Sequence, residues 1–90
     1  MYGQKIKYII LDGRTPIIFP DHIGHDDMAR GQRQRPTSAG FVSLVPISQP
    51  DGKRSFINAT VYGESISLGL PSKGDEDNLI IEKFLNNFED

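Results

Sequence analysis

Residues 4–19 read QKIKYIILDGRTPIIF, with a run of apolar, mostly β-branched residues on each side of an Asp-Gly pair. In the first half of this stretch, apolar side chains alternate with Lys5 and Lys7, which is the period of a half-buried strand. The pair Asp12-Gly13 follows and favours a tight hairpin turn, because glycine tolerates positive φ. A second short strand follows the turn, and Pro16 indicates a sheet edge because proline lacks a backbone donor. The stretch therefore predicts an antiparallel hairpin at the start of the chain.

Three further strands are predicted, over 38–47, 54–62 and 65–70, because these runs combine β-branched, aromatic and small residues. The segment 49–53, QPDGK, predicts a turn between the first two, since proline presets φ and glycine takes the left-handed position. Gly63-Glu64 predicts a turn or bulge before the last strand. The strands follow one another closely enough for an antiparallel meander.

A C-terminal helix is predicted over 73–88. Ser72 and Asp75 have the spacing of a capping box, and more carboxylates follow in the first turn, where they favour the positive end of the helix dipole. An apolar stripe recurs at helical spacing along Ile80, Ile81, Phe84, Leu85 and Phe88. We expect this stripe to pack on the sheet, and the alternative is that it docks a partner or a second copy in a homodimer.

The order of these elements predicts an α+β fold: a small antiparallel sheet of about five strands with the C-terminal helix packed on it. The 90 residues suffice for a single domain over 1–90. The chain has no cysteine, which excludes disulfides and thiolate chemistry. No apolar run follows a basic region near residue 1, and none has membrane-spanning length, so we expect no secretory signal and a cytoplasmic protein without a membrane partner.

Charge is distributed unevenly along the chain, although the net charge is only −2. Residues 1–73 carry nine Lys and Arg against six Asp and Glu, whereas residues 74–90 carry one Lys against six acids. We expect part of the opposite charge of the acidic C-terminal segment and the basic body to be paired inside the fold. Such internal pairing weakens an interpretation as a nucleic-acid-binding protein.

Residues 20–36 read PDHIGHDDMARGQRQRP and hold both histidines of the chain. We predict an exposed polar loop over 20–37, since few side chains in it can be buried. A short helical turn over 22–28, capped by Asp21, is the alternative, and Gly24 disfavours it. A loop of this length is more than a simple connector, so we expect it to carry function.

The arginines of this loop are the candidate partner-binding residues. Arg30, Arg33 and Arg35 are spaced by Gln32 and Gln34, and guanidinium groups bind carboxylates or phosphates in a bidentate manner. No aromatic residue interleaves them, so the stacking platform of a single-strand binder is missing. We therefore expect a protein partner, with nucleic acid as the alternative.

The same loop holds a weak candidate for a metal site, formed by His22, His25 and Asp26. A stable site needs three or four ligands, and the helical zinc pattern of histidines at i and i+4 with a glutamate is absent. No cofactor is assigned. A metal-dependent or hydrolytic enzyme built on the two histidines is the second alternative, but no nucleophile elbow and no phosphate-binding loop supports an enzyme.

Three strings resemble those of a group of short uncharacterised bacterial and prophage proteins: IILDGRTPIIFP at 9–20, SAGF at 38–41 and YGESISLG at 62–69. The similarity covers most of the chain. The resemblance implies an accessory gene of the kind carried by mobile elements, and it implies no activity, cofactor or site residue. Because the chain combines a long polar loop with a compact body and no catalytic signature, we expect a non-enzymatic accessory or regulatory protein that acts by protein–protein binding.

Overall fold

The computed structural model describes residues 5–48 and 55–86. In chain order its elements are β1 (Ile6–Leu11), β2 (Thr15–Pro20), α1 (His25–Arg30), β3 (Pro36–Ser48), β4 (Ser55–Tyr62), β5 (Glu64–Ser65), β6 (Leu70–Pro71) and α2 (Asp75–Asn86). Strands β1 to β4 form one antiparallel sheet, and β5 and β6 form a small second sheet. The predicted α+β class, with the C-terminal helix packed on the sheet, is confirmed.

The strand order is β2-β1-β3-β4, so the prediction of a simple meander is wrong. After β2 the chain passes through α1 and returns on the other side of β1, where Ile9 pairs with Ala39 of β3. This return makes β1 a central strand. Its residues 8–11 are all buried, because both faces of the sheet are covered. The prediction that β1 is half-buried, with one side facing solvent, is therefore also wrong.

Two apolar clusters lie on opposite faces of the sheet. The cluster under α2 is formed by Tyr8, Ile10, Val42, Ala59, Val61 and Ile81. The cluster on the other face is formed by Ile9, Leu11, Phe19 and Ala39, and side chains of α1 and of the segment around β6 pack against it. The alternation of side chains along β1 therefore feeds both clusters at once.

Helix α1 lies inside the segment predicted to be an exposed loop over 20–37. Gly24 does not interrupt this helix, because it stands at the N-cap in extended conformation and its carbonyl accepts the Met28 N–H (3.0 Å). Met28 and Ala29 pack on the second cluster, which gives the short helix its stability. His25 is buried and Met28 and Ala29 are half-buried, while Asp27 and Arg30 of α1 remain exposed along with several residues on either side of the helix.

The fifth predicted strand, 65–70, is a turn between the two-residue strands β5 and β6. The Ser65 hydroxyl accepts the Leu68 N–H (3.1 Å), and the Ser65 carbonyl accepts the Gly69 N–H (2.9 Å). Gly69 has φ +67, which an extended strand does not allow. Serine hydroxyls that bond to nearby backbone thus convert a strand-like pattern into a turn.

Helix α2 begins at Asp75, two residues later than predicted, because Gly74 has a left-handed φ of +57. The Lys73 N–H is bound by the Asp77 carboxylate (2.9 Å). The predicted turn at 49–53 and the predicted end of the helix, including Phe88, lie outside the described residues.

Candidate functional site

The five predicted partner-binding residues fall into two groups. Arg30 belongs to α1, where its guanidinium lies 3.3 Å from the Asp27 carboxylate and 3.9 Å from that of Asp26. The Gln32 amide also turns back to this helix, to the Met28 carbonyl (3.4 Å). The remaining three, Arg33, Gln34 and Arg35, are exposed between α1 and β3.

The segment before β3 is fastened to the turn between β1 and β2. The Arg35 carbonyl accepts the Asp12 N–H (2.8 Å), and the Thr37 hydroxyl accepts the Gly13 N–H (3.0 Å). Both turn residues have positive φ, +53 and +68, as the predicted tight hairpin turn requires. These bonds bring Arg35 to the end of the sheet that carries Arg14, a juxtaposition that the sequence does not reveal.

A groove of about 410 Å³ opens between this turn and α2. Its lining is formed by Gly13, Arg14, Pro16, Ile80, Lys83 and Phe84. Two cations thus stand at a groove that also has an apolar lining. Phe84 is 59% exposed, although the apolar stripe assigned it to the core. We call this groove, together with Arg33 and Arg35, the basic end of the molecule.

Two carboxylates of α2, those of Asp77 and Glu82, accept hydrogen bonds from neutral donors. Asp77 is only 1% exposed, and it accepts the hydroxyls of Tyr8 (2.6 Å) and Ser38 (3.0 Å) as well as the Lys73 N–H. Burial, together with the hydrogen bond to and negative charge of Asp77, raises the pKa of the Tyr8 phenol, so this hydroxyl remains a donor.

Three further polar side chains of α2 bind the edge of β4. Asn78 accepts the Val61 N–H (2.8 Å), Glu82 accepts the Ala59 N–H (2.8 Å), and Asn86 accepts the Ile57 N–H (2.7 Å). Four residues of helix rise about 6 Å and two residues of strand about 6.6 Å, so the two series stay in step. The donors along this edge are satisfied by the helix.

The expectation that part of the charge opposition is satisfied inside the fold is not met in the described residues, where no ion pair joins an acid of α2 to a cation. Asp77 and Glu82 bind hydroxyl and amide donors rather than cations. Within residues 5–48 and 55–86, the ion pairs involve Arg30 alone, and none reaches Arg14, Arg33, Arg35 or Lys83. The cations of the basic end thus remain available to an external anion.

The two histidines are separated by the fold. His25 is 5% exposed, and its Nε2 lies 2.8 Å from the Gly40 carbonyl, so Nε2 carries the proton. Burial lowers the pKa of His25, an effect that the Gly40 hydrogen bond opposes and nearby Lys7 strengthens. His22 is exposed, and the described residues contain no group of three or more His, Asp or Glu side chains placed to hold a metal.

An aromatic row crosses the sheet face beside α1, and the sequence gives no sign of it. Phe19 and Phe41 flank the His25 ring edge-on, at centroid distances of 5.6 and 5.7 Å. The ring of Phe41 stacks on that of Tyr62, its register partner in β4, and Lys5 Nζ lies 5.4 Å from the Phe41 centroid. The row ends in the exposed ring of Tyr62, which stacks on the Phe41 ring that Lys5 covers.

Neither helix in the described part of the chain is long and apolar enough to cross a membrane. Comparison with models of protein families, with curated proteins and with solved structures found no match to this chain.

Proposed function

We propose that this protein is a non-enzymatic accessory or regulatory factor that binds an acidic surface of a partner protein through its basic end. The observation that carries the proposal is the hydrogen bond from the Asp12 N–H to the Arg35 carbonyl, which brings the Arg35 backbone to the turn that carries Arg14. Exposed cations at one end of the molecule are complementary to an acidic surface on a partner. Exposed cations of this kind are suited to steering and orienting a partner.

The ion pairs of the loop arginines support a difference between them. Arg30 is balanced by Asp26 and Asp27, whereas Arg33 and Arg35 have no such partner among the described residues. In this proposal Arg33 and Arg35 are the anchors, and Arg30 contributes little. Gln34 lies between the anchors and is exposed, so its amide is placed to supply hydrogen bonds at the same contact.

The test is capture of a partner from host lysate by the purified protein, with and without nuclease. We expect capture of a protein partner that is unaffected by nuclease and is lost in the Arg35→Ala and Arg33→Ala variants. Capture should be retained in the Arg30→Ala variant, which is the control because it removes the same charge. Equal capture by Arg30→Ala and Arg35→Ala variants that are both folded would contradict the proposal.

A second candidate function, binding of single-stranded nucleic acid, is supported by the aromatic row. Tyr62 is 44% exposed at its end, and Lys5 lies over the neighbouring Phe41 ring, so a base could stack where a cation meets the phosphate backbone. This candidate predicts binding of a uridine oligonucleotide that weakens steeply with salt and is lost with Tyr62→Ala. No binding at low salt would exclude it.

A further inference from the structure

The groove at the basic end combines charge and apolar surface in one concavity, and no acid of the described residues pairs with its cations. Arg14 and Lys83 both line it, together with Phe84. Two cations at one groove are stabilised when an anion stands between them. The exposed Phe84 ring can pack against an apolar group of a ligand, which a carboxylate alone does not provide.

We infer that this groove binds an acidic peptide segment with an aromatic or other large apolar anchor residue. The anchor packs against Pro16, Ile80 and Phe84, while flanking carboxylates bind Arg14 and Lys83. The volume of about 410 Å³ lies in the range of sites that take compact ligands, which suits one anchor side chain and its neighbours. This inference rests on the proposed function and names the chemistry of its partner.

Charge favours a peptide over a nucleic acid as the occupant. Asp12 lies in the turn that forms one wall, and the exposed Asp75 and Glu76 lie about 10–13 Å along α2 from Lys83 and Phe84. A regular chain of phosphates would meet these carboxylates, whereas a peptide can place its acids only where the cations are. The groove therefore fits a short acidic segment better than a continuous polyanion.

The test uses two fluorescent peptides, one with glutamates around a single phenylalanine and one with glycine in place of that phenylalanine. We expect the phenylalanine peptide to bind at least about tenfold more tightly, and Phe84→Ala to abolish the difference. Leu79→Ala is the matched control, because Leu79 lies on the same helix, is 58% exposed and does not line the groove. We expect Arg14→Ala and Lys83→Ala to weaken binding about two- to fivefold each.

The outcomes separate this inference from the proposed function. Equal binding of the two peptides would overturn the inference that the groove binds an apolar anchor, and so would a loss of peptide affinity in Leu79→Ala as large as in Phe84→Ala. The arginine-dependent capture would still stand in either case. Absence of peptide binding while capture depends on Arg33 and Arg35 overturns the inference in the same way. Tighter binding of a uridine oligonucleotide than of the phenylalanine peptide at the same groove overturns the choice of a peptide partner.

Discussion

Among single residues of the described part, Asp77 is expected to matter most for stability, because its carboxylate accepts hydrogen bonds from three different residues. Its carboxylate is buried between α2 and the sheet, where the hydroxyls of Tyr8 and Ser38 and the Lys73 N–H all donate to it. In the described residues no buried side-chain polar atom lacks a partner. Removing this carboxylate would leave the buried hydroxyls of Tyr8 and Ser38 without this acceptor and would also release the partly buried Lys73 N–H. An unsatisfied buried donor costs more free energy than a lost surface contact.

We expect Asp77→Ala to lower the free energy of unfolding by about 2–4 kcal/mol, measured by denaturant titration. Asp75→Ala, in the same helical turn but exposed, should lower it by less than about 1 kcal/mol. Adding Tyr8→Phe to the Asp77→Ala variant should recover part of the loss, because it removes one unsatisfied hydroxyl. A double variant that is less stable than the single one would contradict this account of Asp77.

His25 makes stability depend on pH in the acidic range. Its lowered pKa means that the unfolded chain binds a proton more readily than the folded protein does. The free energy of unfolding therefore falls as the pH decreases below about 6.5, the ordinary histidine value, towards the lower folded pKa. Above about 6.5 both states have a neutral ring at this position, and the dependence disappears.

We expect His25→Gln to flatten this acid-side decline, because glutamine can still donate to the Gly40 carbonyl but does not titrate. His22→Gln is the control, since His22 is exposed and its replacement should leave the decline in place. The measurement is the midpoint of urea unfolding at a series of pH values from 5 to 8. Equal flattening by both variants would show that the buried ring is not the source.

At the scale of elements, the alignment of α2 with β4 explains which sequence predictions were right. Local periodicity sufficed to locate β1, β2, β3, β4 and α2 along the chain, but it did not show that both faces of β1 are buried. Phe84 was misassigned because α2 turns Asn78, Glu82 and Asn86 towards the strand edge, which shifts the buried face of the helix. Nothing in the local pattern distinguishes these edge-binding residues from solvated ones.

The candidate site was predictable only in part for the same reason. The loop arginines stand out in composition, but Arg14 and Lys83 are ordinary exposed residues until the fold brings their elements to one groove. Asp77 looks like an acid that favours the helix dipole, and Gly24 looks like a helix breaker. Their observed positions depend on tertiary contacts, which single-sequence patterns do not contain.

The contact between α2 and β4 leads to a prediction for Glu82. Its Oε2 accepts both the Ala59 N–H and the Asn58 side-chain amide, so Glu82→Ala removes two hydrogen bonds from the strand edge. We expect a loss of about 1–3 kcal/mol in the free energy of unfolding. Glu76→Ala, on the same helix but exposed, should change it by less than about 1 kcal/mol. Similar losses in the two variants would contradict the edge-binding role.

Glu82 also bears on association between copies. An uncovered strand edge offers its N–H groups to another chain. The second edge strand, β2, contains Pro16 and Pro20 and so lacks two backbone donors. We therefore expect the Glu82→Ala variant to self-associate more than the Glu76→Ala variant does, as measured by light scattering after gel filtration.

At the scale of the whole molecule, the fold does not pair the described acids of its C-terminal helix with the cations of the basic end. Two carboxylates of the acidic C-terminal helix accept hydrogen bonds from neutral donors of the sheet, so they do not neutralise the cations of the basic end. The result is a chain of net charge −2 that still presents Arg14, Arg33, Arg35 and Lys83 without ion pairs in its described part. Net charge alone would have hidden this surface.

Whether the basic end is the binding surface is tested by an NMR titration of the isotope-labelled protein with the glutamate–phenylalanine peptide. We expect chemical-shift changes concentrated in the turn at 12–16, in the segment 33–37 and in residues 80–84 of α2. We also expect these changes to weaken as salt is raised and to remain in the Arg30→Ala variant. Changes centred on Phe41 and Tyr62, or no changes at peptide concentrations up to the millimolar range, would contradict the claim that the basic end is the binding surface.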